Sequence, residues 1–356
     1  MAQHVYVGVD VGGTKIGLNA IDEDRRPVSP AWIEVPSHSH LGPGHTVRQI
    51  GVGVQALLEK HGLSADRVGG VGTDSPGPAD IDGTIQRSAN MHADWDGFKL
   101  RDQVASTLAA VFGRTIPVSY ENDCNAAALW ESFTGNPQGT EVMALLAPGT
   151  GLGGGIVIQG RLLRGARGMG AELGHIEIVQ PPFIPGSPAG GCGCGQRHCA
   201  ESYVSMAALV KILPAALRQP AWKDHPLHRV EGDDVWRKRA YQVRGLAAGG
   251  DPLCRALFDW QSEAVGRLCR QVADAIDPDR IVIGGGFIEG GAELTGRILG
   301  IVRKTFASLA FKKHADCVAI EAAAAGDQAG CLGAALSAWQ AAHPNGQPQV
   351  RIDSPG

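Results

Sequence analysis

The chain has 356 residues, 44% of them apolar and 19% charged, with 32 Lys+Arg against 36 Asp+Glu and a formal charge of −4. That is folded-protein composition, at a length expected for about two domains. It offers no basic surplus for nucleic acid or an anionic membrane, no apolar run of about 18 residues to cross one, and no signal-peptide pattern at the start. A cytoplasmic protein is expected. Eight Cys are too sparse for a disulfide scaffold, but Cys192, Cys194 and Cys199 crowd together and ask for a metal reading. The 50 Gly are about twice usual usage and cluster between β-branched stretches, which points to backbone wrapped around phosphates.

Val5 to Val9 and Ile16 to Ile21 read as strands around the turn Asp10-Val11-Gly12-Gly13-Thr14-Lys15. Thr46 to His61 has one apolar face and reads as a helix stopped by Gly62. Val68 to Thr73 reads as a strand running into turn residues Asp74-Ser75-Pro76-Gly77-Pro78. Leu100 to Phe112 reads as a helix and Ile116 to Tyr120 as a strand. That strand meets Glu121-Asn122-Asp123-Cys124-Asn125, after which Ala126 to Phe133 reads as a helix.

Val142 to Ala147 and Ile156 to Ile158 flank a second glycine turn, repeating the plan of residues 5–21 about 135 residues later. Pro252 to Ile276 reads as a long helix and Arg280 to Ile283 as a buried strand ending at Gly284-Gly285-Gly286. Cys331 to Ala341 reads as a last helix, with a frayed tail from His343. Alternating strands and helices place the fold in the α/β class.

No Walker A loop is present. Gly149 to Gly154 fits G-x-G-x-x-G, but a dinucleotide fold needs a helix next, and Ile156-Val157-Ile158 reads as strand. Two glycine-tipped hairpins presenting N–H groups to one nucleotide fit better.

Together these segments resemble the ROK family (repressors, open reading frames, kinases) of the actin-like ATPase/hexokinase superfamily. Residues 10–15 resemble its first phosphate loop, Glu121 to Ala127 its sugar and catalytic segment, and Gly149 to Gly155 its second phosphate loop. Ala171-Glu172-Leu173-Gly174-His175 with Cys192, Cys194, Cys199 and Glu201 resembles its zinc signature, and Ile281 to Gly291 its adenosine segment. The motifs run in family order from residue 10 to about 335.

The resemblance implies a two-domain actin-like (ribonuclease H-like) α/β fold with an interdomain cleft. The domains would be residues 1–121 plus 332–356, and 122–331. It implies ATP-dependent phosphorylation of a hexose, glucose first, in a homodimer or homotetramer that binds no nucleic acid. Asp123, at a strand end, would be the general base; its alternative reading is a helix N-cap.

Asn122, Glu172, His175, Glu201, Ser75 and Gly77 would contact the sugar. Asp10 would lie near Mg²⁺, through water. Gly12, Gly13, Thr14, Gly149, Thr150, Gly151 and Gly153 would hold phosphates, Lys15 would cover the loop, and Gly284, Gly285 and Gly286 would let adenosine lie on backbone. His175, Cys192, Cys194 and Cys199 would make a closed, structural zinc site.

Two departures from the family pattern stand out. His198 occupies a position that is usually Gly, where it could compete as a ligand. Sixteen residues, including the Pro-rich 181–188, separate His175 from Cys192. The competing readings are a kinase for fructose, mannose, allose or an N-acetylhexosamine, and a sugar-responsive regulator. The regulators carry a helix-turn-helix ahead of the first loop, and only nine residues precede Asp10 here.

Overall fold

A computed structural model describes residues 4–86, 92–135, 140–185 and 190–344. The tail beyond Pro344, residues 186–188 of the Pro-rich loop and Asn90 lie outside the described residues. In order, the elements are β1 (Val5–Val11), β2 (Lys15–Asp22), β3 (Ile33–Pro36), α1 (Pro43–Lys60), β4 (Val68–Ser75), α2 (Leu100–Phe112), β5 (Val118–Asn122) and α3 (Asp123–Thr134). There follow β6 (Val142–Pro148), β7 (Leu152–Ile158), β8 (Arg161–Leu162), α4 (Glu201–Val204), α5 (Met206–Leu217), α6 (Val235–Ala248) and α7 (Pro252–Ile276). The chain ends with β9 (Arg280–Ile283), α8 (Ala292–Leu309), α9 (Lys312–Cys317), β10 (Ala319–Ala322) and α10 (Ala329–Ala342).

Two five-stranded sheets result, in the orders β3-β2-β1-β4-β5 and β10-β9-β6-β7-β8. The chain divides into two compact units. One holds residues 1–140, 155–171 and 324–356; the other holds 141–154 and 172–323. Residues 122–140, expected in the second domain, group with the first unit, because α3 packs on α10.

Alternation along β1 organises the first unit. Val5, Val7, Val9 and Val11 point to one face of the sheet and share a core with α1 and α2. Tyr6, Gly8 and Asp10 point to the other. There α10 lies across β1 and β4. A Cβ on Gly8 would sit 1.6 Å from the Cys331 carbonyl oxygen, and one on Gly72 would sit 1.8 Å from that of Ala334. These glycines serve helix-on-sheet approach, not phosphate, which corrects the reading of the composition. In the second unit β6, β9 and β10 form parallel ladders. The long helices α7 and α8 pack against each other there.

Several boundaries moved for local reasons. β5 begins two residues later than expected, since Pro117 has no N–H to pair and the ladder starts at Val71–Val118. α1 begins earlier, with Pro43 in its first turn, where a missing N–H costs nothing. α3 begins at Asp123, three residues early, and β7 already at Leu152. A strand therefore follows the second glycine turn, and the dinucleotide-binding alternative is excluded.

Candidate active site

In the first unit the strand ends gather three carboxylates. Asp10 and Asp74 are partners in the parallel β1–β4 register, and Asp123 opens α3. Asp74 is 0% exposed. Neither of its oxygens meets a partner with good hydrogen-bond geometry, although the Asp10 carboxyl and the Val11 backbone lie close enough to bias its protonation. Burial, then the charges of Asp10 and Asp123, push its pKa well above the ordinary carboxyl range. Burial also raises Asp10, against the opposing pull of Asp74 and Lys15. A Cβ on Gly330, in the first turn of α10, would lie 3.1 Å from Asp10 Oδ2 and 3.4 Å from Asp74 Oδ2.

The N-cap of α3 is Asn122, not Asp123. Asn122 Oδ1 accepts from the N–H groups of Cys124 (3.0 Å) and Asn125 (3.3 Å), and its Nδ2 donates to the Gly77 carbonyl (3.2 Å). Both ends of the Asn122 amide are thus engaged with backbone. Asp123, relieved of capping, accepts from the Cys124 N–H at 2.8 Å. Asp123 is partly buried, and the loss of solvation raises its pKa to about 6, against the lowering effect of the Cys124 N–H. Such a carboxyl is ionised at neutral pH and still basic enough to take a proton.

The Gly12–Thr14 turn is buttressed from residues 37–39. Ser37 N–H donates to the Thr14 carbonyl (3.0 Å) and Ser39 Oγ to that of Gly13 (2.5 Å). The buried Trp95 indole N–H in turn donates to the Ser39 carbonyl at 3.3 Å. Lys15 pairs with Glu34 at 2.5 Å, with its ammonium over the Trp32 ring. Ser75 Oγ shares a hydrogen bond with Tyr120 Oη at 3.0 Å.

In the second unit the Gly149–Leu152 turn is closed by Gly149 N–H to Gly151 O at 2.8 Å. The start of α5 backs it: Met206 N–H donates to the Gly149 carbonyl (2.9 Å) and Ala207 N–H to that of Thr150 (3.4 Å). Gly153 lies within β7. After β9, Gly284 N–H donates to Leu146 O, and Gly285 turns at φ 66° with Pro148 O where a Cβ would go. Arg244 Nη1 donates to the Gly286 carbonyl at 2.6 Å and pairs with Glu289.

His175, Cys192, Cys194 and Cys199 converge, with one ligand atom from each within 4.8 Å of the others. Cys194 and Cys199 Sγ are 3.7 Å apart, and Cys192 Sγ is 3.4 Å from His175 Nδ1. Tetrahedral Zn–S bonds of about 2.3 Å put sulfurs about 3.8 Å apart, so this donor set fits Zn²⁺. His175 Nε2 faces Glu172 at 4.0 Å, the carboxylate-behind-histidine arrangement common at metal centres. Burial, and the charge of Glu201, raise the Glu172 pKa, against the lowering effect of His175. His198 stands outside the group. At φ 64° it points Nδ1 to Tyr203 Oη, 2.8 Å away.

Three features have no role of their own in the sequence reading. Asp74 read as a turn residue. Glu121, buried, takes a bidentate Arg164 and the Ser337 hydroxyl at 2.7 Å. Arg244 lies far from the glycines it braces. Burial of a charge at a strand end is the only signal that could have marked the first two.

The two sheets, the paired glycine-turn hairpins and the carboxylate opening a helix after a strand define a mixed α/β protein of the actin-like ATPase class. The ROK family model matches residues 6–341, and the chain belongs to the ROK family. It is 30% identical over 336 residues, 94% of each chain, to a glucokinase of Halalkalibacterium halodurans. It is likewise 30% identical to the N-acetylgalactosamine kinase AgaK of a Shewanella species, over 80% of this chain and 82% of the other. Among solved structures, a ROK family glucokinase from Streptomyces griseus in complex with glucose and AMPPNP is 31% identical. The match has a TM-score of 0.73 and covers 94% of this chain and 99% of that one.

Proposed function

We propose that this chain is an ATP-dependent hexose kinase that converts glucose to glucose 6-phosphate, with Asp123 as general base. The observation that carries the reading is Asp123 itself, a carboxyl at a strand–helix junction, excused from capping by Asn122 and raised to about 6. Asp123 takes the proton of the acceptor hydroxyl as its oxygen attacks the γ-phosphorus. The bond to the bridging oxygen breaks and ADP leaves with that electron pair.

The Gly12–Thr14 and Gly149–Gly153 segments hold phosphate oxygens, and Gly284–Gly286 backs the adenosine. Asp10, a hard oxygen donor with Asp74 beside it in the β1–β4 register, would hold Mg²⁺ through water. Mg²⁺ when bound neutralises charge on the transferring phosphoryl group. Ser75, Gly77, Glu172 and His175 form the sugar contacts in this reading; the resemblance adds Asn122 and Glu201, although the Asn122 amide and Glu201 Oε2 are already engaged with backbone. His175, Cys192, Cys194 and Cys199 would hold Zn²⁺, which would fix the segment carrying Glu172, His175 and Glu201. The enzyme works in the cytoplasm as a homodimer or homotetramer.

A second acceptor, an N-acetylhexosamine, is favoured by the AgaK likeness. The test is ADP release from Mg-ATP across glucose, mannose, fructose, allose, N-acetylglucosamine, N-acetylgalactosamine and N-acetylmannosamine. Release with glucose foremost supports the reading, and release with an acetylated sugar foremost selects the second. Silence on all of them overturns both in favour of a sugar-binding regulator.

A further inference from the structure

Glu201 is the first residue of α4, two positions after the last cysteine of the metal cluster. Both of its oxygens already have partners. Oε2 accepts from the Leu152 N–H at 3.0 Å. Oε1 accepts from the Cys192 thiol at 3.3 Å; a zinc-bound Cys192 is a thiolate and cannot donate, so the hold on the turn is through Oε2. Glu201, two residues after Cys199, therefore reaches through Oε2 from the cysteine cluster to the last residue of the Gly149–Leu152 turn. Gly151 admits it: a Cβ there would lie 2.6 Å from Oε2. The turn's carbonyls at Gly149 and Thr150 are held by the start of α5, one residue after α4 ends. The turn is thus gripped from one short stretch of chain, by its carbonyls through Met206 and Ala207 and by its final N–H through Glu201.

We propose that Glu201 is a positioning residue for the phosphoryl donor, fixing the shape of the 149–152 turn from an anchor at the cysteine cluster. This rests on the reading of that turn as a phosphate loop, and it gives Glu201 a task separate from any sugar contact. A charged acceptor on a backbone N–H is among the stronger hydrogen bonds. Here it orients a peptide whose neighbours would face phosphate oxygens, so its loss is felt in nucleotide binding before sugar binding.

The test uses the full chain loaded with Zn²⁺, in Glu201→Ala, Glu201→Gln and Gly151→Ala forms. Three quantities are read: amide-resolved hydrogen exchange at Leu152, bound zinc, and the dissociation constant of a fluorescent ATP analogue beside that of glucose. Loss of one charge-assisted bond predicts Leu152 exchange and nucleotide dissociation constant both raised about tenfold or more in Glu201→Ala. Zinc content stays at the wild-type level. Glu201→Gln retains an acceptor and recovers most of the Leu152 protection. Gly151→Ala displaces the carboxylate from the other side and reproduces the loss. Unchanged Leu152 exchange in Glu201→Ala, or a loss confined to glucose affinity, overturns the proposal. If zinc is lost from Glu201→Ala, Leu152 exchange in Gly151→Ala decides, since that variant leaves every cluster residue in place. Because exchange and binding are read without turnover, a chain that phosphorylates no sugar would contradict the proposed function and leave this result standing on its own.

Discussion

Asp10 and Asp74 lie side by side on β1 and β4, register partners beneath the first turn of α10, and only Asp74 is wholly buried. The folded chain holds the Asp74 proton more tightly than the unfolded chain does. Its contribution to stability is therefore full below the ordinary carboxyl pKa and is lost as pH rises through the raised value. Asp74→Asn removes that loss. Urea unfolding at about pH 5 and about pH 9 should show the variant gaining on wild type at the higher pH. Equal slopes with pH would contradict the assignment of an uncompensated charge.

The approach of α10 to the sheet makes a second prediction. Gly72→Ala places a methyl where the Ala334 carbonyl oxygen stands, and backbone cannot step aside as a side chain can. Overpacking of this kind costs about 3 kcal/mol. Urea denaturation measures it, and a change under about 0.5 kcal/mol would mean that α10 sits farther from β4 than described.

Two side chains distant in sequence converge on the buried Glu121 carboxylate. Arg164 covers it from the segment after β8, and Ser337 donates to it from α10. Ser337→Ala should cost about 1 kcal/mol. Arg164→Ala should cost about 2 kcal/mol, more than a surface pair, because Glu121 is buried even though the guanidinium is partly exposed. Equal and negligible effects would show that Glu121 is held by something else.

Metal analysis should find one Zn²⁺ per chain, and Cys194→Ala should lose it. Chelation should lower the midpoint of thermal unfolding in the wild type and leave Cys194→Ala unmoved, since the variant has no metal to surrender. A wild type free of metal after expression in zinc-supplied cells would contradict the cluster's role.

Much of this was legible in the chain. The strict Val alternation of β1 gave both its faces, and α2, α7 and β9 end where their patterns end. The cysteine spacing marked residues that do converge, with His175 joining them across sixteen intervening residues. What escaped depended on long-range neighbours. Asp74 reads as a turn residue because turns and buried strand ends accept the same residue, and only the arrival of α10 over Gly8 and Gly72 seals it. Asp123 and Asn122 are equally good caps on paper. Geometry gives the cap to Asn122 and frees Asp123. The contact of Glu201 with the Leu152 N–H crosses 49 residues of chain, and no local pattern marks it.

The most direct measurement is the pH dependence of turnover for wild type beside Asp123→Ala, with glucose binding followed separately. Ionisation of Asp123 is required for it to accept the hydroxyl proton, so wild-type kcat should rise with pH through about 6 and then level. Asp123→Ala should fall by about a thousandfold or more while still binding glucose. Near-normal turnover in Asp123→Ala, or an acid limb that survives the substitution, would contradict the assignment of Asp123 as the base.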